Sequence, residues 1–202
     1  MLTTIDFLRH GEVIGGSYYR GSTDDPLTKK GWEQMDTAII TQSWEHIISS
    51  PLIRCADFAQ QASKLNNTVL SISNNWQEID FGDWEGKTAQ QIDQNSLMLF
   101  YQDPLKNTPP NAEPYSSFLC RINCAWDELI KTYRGKHILV ITHAGVIRSL
   151  FNLHLNIPAN KLFNIKVDHA SLTRFECFTD SPENFTQLTF HNLVHPHLYS
   201  KK

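Results

Sequence analysis

An alternation constrains this chain more than any other feature. Short apolar-rich runs end on Arg, His or Ser-Pro, and each gives way to a longer stretch with helical spacing. Thr4 to Leu8 runs into Arg9-His10-Gly11, Glu45 to Ser49 into Ser50-Pro51, and His137 to Thr142 into His143-Ala144-Gly145. Runs of that length bounded by turn residues read as strands. Thr28 is placed to cap a helix with Trp32, Met35 and Ile39 on one face. Ser50-Pro51 reads as a helix start, Ser as the cap and Pro at the first helical position, for a helix burying Leu52, Cys55, Ala59, Ala62 and Leu65. Thr68 to Ser73 alternates like a third strand, and a weaker helical region runs to about Gln102. Phe118, Ile122, Ala125, Trp126, Leu129 and Tyr133 recur at helical spacing, and residues 172–178 and 185–191 read as late strands. Strands alternating with helices imply an α/β fold: a three-layer sandwich with a mostly parallel central sheet and helices on both faces. The Pro-rich stretch Pro104–Pro114 is too short for a domain linker, and there are no internal repeats, so residues 1–202 are expected to form a single domain.

Composition narrows the partners. The 202 residues are enough to bury a core, and 41% apolar with 19% charged residues excludes a disordered chain. A formal net charge of −3 provides no global field for nucleic acid or an anionic membrane. An anionic ligand would need a local cluster of cations, so the expected partner is a small phosphorylated metabolite, with the chain a monomer or homodimer. No stretch approaches the roughly 18 apolar residues of a membrane span. Met1 to Asp6 has neither the basic start nor the apolar run of a signal peptide. Cys55, Cys120, Cys124 and Cys177 contain no Cys-x-x-Cys pair; Cys120 and Cys124 share a helix face, where they are expected to pack as reduced thiols. These features favour the cytoplasm. The polar tail His195–Lys202 is expected to fray, and His195-Pro196-His197, with no carboxylate nearby, is not read as a metal site. Trp76 and Trp84 are read as core or rim packing.

In open α/β sheets, ligands bind beyond the carboxyl ends of the strands. Arg9 and His10 end the first run, Arg54 falls in the first turn after the second, and His143 ends the fourth. Two Arg and two His converging on one edge make an anion site, most suited to a phosphoryl group. The planar guanidinium donates two parallel hydrogen bonds to phosphate oxygens, and a helix N-terminus adds a favourable dipole.

Four segments resemble the motifs of a known family, in its order: Leu8-Arg9-His10-Gly11-Glu12, Ser49 to Ala56, Glu78-Ile79-Asp80-Phe81-Gly82-Asp83-Trp84-Glu85-Gly86, and Thr142-His143-Ala144-Gly145-Val146. The family is the histidine phosphatase, or phosphoglycerate-mutase-like, superfamily. The resemblance implies that His10 is the nucleophile that becomes phosphohistidine. It implies that Arg9, Arg54 and His143 bind phosphoryl oxygens, and that Glu78 gives a proton to the leaving oxygen. Neutral imidazole has one free lone pair and an ordinary pKa of about 6.5, which makes it a usable nucleophile near neutrality. Two Arg and a protonated or hydrogen-bonding His143 would supply the charge that phosphoryl transfer needs, so neither metal nor cofactor is expected.

The loop Ser17 to Thr28 resembles the family's substrate loop, with Arg20, Gly21 and Thr23 as candidates to touch phosphate or leaving group. Gly15-Gly16 stands where many mutase-type members carry Asn, and Ala112-Glu113-Pro114 stands where many carry Gly-Glu-Ser. The Tyr18-Tyr19-Arg20-Gly21 loop and the run Thr142 to Arg148 look most like bacterial α-ribazole-5′-phosphate phosphatases, which act late in cobalamin assembly. A broad metabolite phosphatase or a phosphoglycerate-type mutase is the alternative within the class. A non-catalytic phospho-ligand-binding module is the alternative outside it.

Overall fold

The structure, a computed structural model, describes residues 1–40, 42–178 and 185–194. Six strands form one sheet in the order β3-β2-β4-β1-β5-β6. These are β1 Leu2–Arg9, β2 His46–Ser49, β3 Val69–Ile72, β4 His137–Thr142, β5 Leu172–Phe178 and β6 Phe185–Leu193. The pairs β3–β2, β2–β4 and β4–β1 are parallel. The last two strands join as antiparallel neighbours, β5 on β1 and β6 on β5.

Among the described residues, five α-helices pack around the sheet: α1 Lys29–Ile39, α2 Ile53–Asn66, α3 Gln94–Gln102, α4 Tyr115–Thr132 and α5 Ala144–Leu155. Side-chain alternation along the central strands makes two cores. Ile5 and Phe7 of β1 and Ile138 and Val140 of β4 pack with α3, α4 and α5. Leu8, Leu139 and Ile141 pack with Met35 and Ala38 of α1 and Cys55, Phe58, Ala59 and Ala62 of α2. Strands alternating to both faces require helices on both, and the three-layer α/β architecture expected from the sequence follows. Trp76 and Trp84 are buried in the first core.

Three local expectations are corrected. The first is the start of α2, which begins at Ile53 instead of at Pro51. The Ser50 backbone N–H stays in the sheet, donating to Ile141 O at 3.0 Å. The Ile53 N–H that needs capping is met from elsewhere in the chain, by Asp24 Oδ1 at 2.8 Å. The second is Leu65, which is 74% exposed. Strands β2 and β3 have four residues each, about 13 Å, whereas the fourteen-residue α2 is about 21 Å long, so its last turn overhangs. The third is the Cys120–Cys124 face, which is exposed. The buried stripe of α4 is Tyr115, Phe118, Ile122, Ala125, Trp126, Leu129 and Ile130, and both thiols lie off it; Tyr133, half-buried, follows the last helical residue. Residues 195–202, with His195 and His197, lie outside the described residues. Among the described residues, no helix is long and apolar enough to cross a membrane.

Candidate active site

Register puts three strand ends side by side. Arg9 of β1 pairs with Thr142 of β4, and Ser49 of β2 pairs with Ile141 of β4. The residues that follow, His10, His143 and Ser50, therefore leave the sheet at one edge. All three are buried. The His10 backbone N–H donates to Thr142 O at 2.9 Å, so the end of β1 is pinned to β4.

His10 Nδ1 lies 2.8 Å from Gly11 O. A carbonyl only accepts, so Nδ1 carries the proton and Nε2 keeps its lone pair. Burial, with the Arg9 and Arg54 cations beside it, pushes the His10 pKa well below its ordinary value. The ring is neutral near pH 7 and in the form a nucleophile needs. The His143 ring centroid is 5.3 Å from that of His10. Arg54 Nε donates to His143 Nδ1 at 3.3 Å, and His143 Nε2 lies 2.8 Å from Ser50 Oγ. Because Arg has no acceptor, His143 Nδ1 accepts and Nε2 carries the proton. Burial and the Arg54 cation push this imidazole well below its ordinary pKa too. The cations of the site are therefore the two Arg, with His143 a neutral hydrogen-bonder.

Arg54 is fully buried. Its Nη1 donates to Thr23 O at 2.7 Å and its Nη2 to Gly21 O at 2.8 Å. Arg9 donates from Nη1 to Val167 O at 2.6 Å and from Nη2 to His169 Nε2 at 2.9 Å. Its Nε is buried with no partner among the described residues. Burial pulls the Arg9 pKa down to about 10, which leaves it cationic at neutral pH. Every hydrogen bond these two guanidiniums make within the described residues goes to a carbonyl or an imidazole, none to a carboxylate.

Glu78 reaches the same edge from the loop after β3. Its Oε2 accepts from Gly145 N at 2.9 Å, in the first turn of α5. A Cβ on residue 145 would lie 2.1 Å from Glu78 Oε1, so only glycine admits the carboxylate there. Arg121 of α4 holds this loop. It donates to the carbonyls of Asn75, Gln77 and Glu78 at 2.8–3.0 Å and forms a two-armed ion pair with Glu113 at 2.7 and 2.9 Å.

The substrate-loop candidates are placed differently from one another. The Gly21 and Thr23 carbonyls are occupied by Arg54, and the backbone N–H groups of Gly21, Ser22 and Thr23 all donate to the Glu85 carboxylate, at 2.8 to 3.1 Å. Thr23 Oγ1 donates to it as well. A Cβ at Gly21 would lie 1.8 Å from Ile79 O, which is why this turn needs glycine. In this state Gly21 and Thr23 position Arg54, a task that direct contact with a ligand does not describe. Arg20 stacks over the Tyr18 ring at 3.9 Å, pairs with Asp25 at 2.8 Å and donates to the Ile14 and Gly16 carbonyls at 3.1 Å. With Arg9, Glu12, Gly15, Tyr18 and His169 it lines a cavity of about 610 Å³ beside the site.

Sequence reasoning missed His169, Glu85 and Arg121. Glu85 lay inside a quoted motif, and its acidic character between Trp84 and Gly86 was the available signal. His169 and Arg121 carried none, because only the fold brings them to the site.

Comparison with known proteins gives the family. The model of the histidine phosphatase superfamily (branch 1) matches residues 5–187. The bifunctional protein Rv2228c of Mycobacterium tuberculosis is 30% identical over 187 residues, 88% of this chain and 51% of that protein. The chain thus spans about half the length of this curated relative. The adenosylcobalamin/alpha-ribazole phosphatase of Escherichia coli is 27% identical over 169 residues, covering 80% of this chain and 83% of that one. The solved structure of mycobacterial glucosyl-3-phosphoglycerate phosphatase superposes with a TM-score of 0.83 at 22% identity, over 96% of this chain and 100% of that one, a likeness of fold. The match over nearly the whole described sheet shows that this chain belongs to the histidine phosphatase superfamily, branch 1.

Proposed function

We propose that the protein hydrolyses a small-molecule phosphomonoester through a phosphohistidine on His10, without a metal, and that its substrate is α-ribazole 5′-phosphate. The observation that carries the chemistry is the buried Nε of Arg9, a cationic donor with no partner among the described residues. A buried charged donor left unsatisfied is costly, and a phosphoryl oxygen satisfies it. Arg9 and Arg54 neutralise the equatorial oxygens, and His10 Nε2 attacks phosphorus in line. The P–O bond to the leaving group breaks as the N–P bond forms, and Glu78 gives the leaving oxygen its proton. The Glu78 carboxylate then takes a proton from the water that attacks the phosphohistidine, which frees His10 and inorganic phosphate. His143 moves its Nε2–H from Ser50 to a phosphoryl oxygen.

Support for the substrate is similarity to the E. coli adenosylcobalamin/alpha-ribazole phosphatase. A panel of phosphate esters read as kcat/KM tests it, with α-ribazole 5′-phosphate expected to rank first. Turnover that EDTA abolishes, or a quenched enzyme without an acid-labile phosphoryl adduct, would sink the mechanism. Isomerisation of 3-phosphoglycerate in the presence of its bisphosphate primer would replace hydrolysis with a mutase reaction.

A further inference from the structure

His169 precedes β5 and belongs to none of the motifs discussed above. Its Nε2 sits 2.9 Å from Arg9 Nη2, its ring centroid is 5.6 Å from that of His10, and it lines the cavity beside the site. An imidazole nitrogen facing a guanidinium N–H has to be the acceptor, because Arg has nothing to accept with. The ring proton is therefore on Nδ1, and the ring is neutral. Two residues earlier, Val167 O takes the other terminal nitrogen of the same guanidinium at 2.6 Å. Both terminal nitrogens of Arg9 are thus held by one short segment, and Nε is the nitrogen left over.

That segment is itself fastened from outside the site. Asn192, near the end of β6, accepts from Asp168 N at 2.6 Å and donates to Asp168 Oδ2 at 2.9 Å. Ser171 Oγ donates to Asp168 O at 2.8 Å, and His191 Nε2 donates to Lys166 O at 2.7 Å. The antiparallel edge of the sheet therefore anchors the two acceptors that aim Arg9.

We propose that His169 is a positioning residue for phosphoryl binding: a neutral acceptor that, with Val167 O, fixes the Arg9 guanidinium so that its Nε–H is presented to the anion. This rests on the phosphoryl-site reading above. The groups around His169 fit the role. Arg9 from β1 and Arg20 from the substrate loop disfavour a second cation there, whereas Glu12 and its neighbour Asp168 favour one; burial and Arg9 prevail, and the His169 pKa is lowered to about 4. The acceptor is thus kept unprotonated across neutral pH. A protonated ring would turn a donor toward Arg9 and release it.

The test separates acceptor from ring. His169→Phe keeps an aromatic ring next to His10 and removes the acceptor. His169→Gln removes the ring and restores an acceptor through its amide oxygen. Inorganic phosphate affinity by titration calorimetry and kcat/KM on a phosphate ester are measured for both and for the wild type. The proposal expects His169→Phe to weaken phosphate binding and kcat/KM by roughly tenfold to a hundredfold, through KM more than kcat, and His169→Gln to come within a few-fold of wild type. The reverse order, or no change in either variant, would overturn it and assign His169 to packing. If the wild type binds phosphate but turns over no ester, the catalytic reading fails and the phosphate arm still decides the role of His169. If the wild type binds no phosphate, both fall.

Discussion

Asp6 and Arg9 stand three residues apart on β1, and their surroundings are built in opposite ways. Asp6 is wholly buried, and protein donors fill it completely. Arg174 donates to both carboxylate oxygens at 2.7 and 2.8 Å, Trp44 Nε1 donates at 2.8 Å, and His137 Nε2 donates at 2.8 Å. Arg9 is buried and, among the described residues, makes no hydrogen bond to a carboxylate; beside it stand a second such Arg and the neutral His10 imidazole. One end of the strand carries a closed ion pair that holds β1 to β5 and to the start of β4. The other carries charge with no hydrogen-bonded carboxylate among the described residues, and under the proposed function its partner is an anion from solution. Two Arg gathered with only the more distant carboxylates Glu78, Asp24 and Asp168 to offset them destabilise a fold, and sites of function keep such strain where stability alone would remove it.

The largest effect in the series comes from His10→Ala. It is expected to lower kcat by roughly 10⁴-fold or more, as loss of a nucleophile does, with a Tm no lower than wild type. A variant that keeps turnover would remove His10 from the reaction. Arg9→Gln follows, with kcat/KM down by roughly 10²- to 10³-fold, as for loss of one preorganised donor. It removes a buried positive charge, so a large drop in Tm would contradict the open-charge description. Asp6→Asn makes the opposite trade: about 3 kcal/mol of unfolding free energy lost by urea melts, because Arg174 loses its charged partner, with kcat/KM within about threefold. If Asp6→Asn silences the enzyme while the fold stands, the two ends are not separable.

The acid side sharpens the comparison further. Burial raises the Asp6 carboxyl, but its hydrogen bonds from Arg174, His137 and Trp44 prevail and hold its pKa below the ordinary value. That stabilisation is present above about pH 4 and is lost as pH falls through the folded-state value. His10, His143 and His169 have lowered pKa values. Between the unfolded value near 6.5 and their folded values, the unfolded chain binds more protons, so their contribution wanes as pH falls below about 6.5. Thermal melts should therefore show stability declining in two stages, a gradual one below pH 6.5 and a second near pH 4. Saturating phosphate, expected to add about 2.7 kcal/mol at a hundred times its Kd, should act in wild type and far less in Arg9→Gln. The smallest effect belongs to Leu65→Ser on the overhanging turn of α2, within about 0.5 kcal/mol.

Strand ends are legible in a sequence because the chemistry there is local: a short apolar run stops and a His or Arg follows. Arg9, His10 and His143 could be placed at one sheet edge on that ground, and the alternation of elements was enough to read two helical layers on a mostly parallel sheet. What stayed hidden depended on contacts across the fold. Arg121 lies more than forty residues from the carbonyls it holds in the Glu78 loop, and His169 about 160 residues from Arg9. The misread start of α2 has the same origin. Ser50-Pro51 is a local signal for a cap, but Ser50 is held by β4 and faces His143, and the capping acceptor comes from Asp24 in another loop.

The Glu85 carboxylate divides the loop between β1 and α1 into two halves with different freedom to change. Residues 21–23 are tied to it, and through their carbonyls they set Arg54. Residues 14–18 line the cavity and make no such connection. Under the proposed function, substitutions in the second stretch would reshape the space offered to a leaving group while Arg54 stays where it is. On that reading, the division would let the substrate drift while the reaction stays intact.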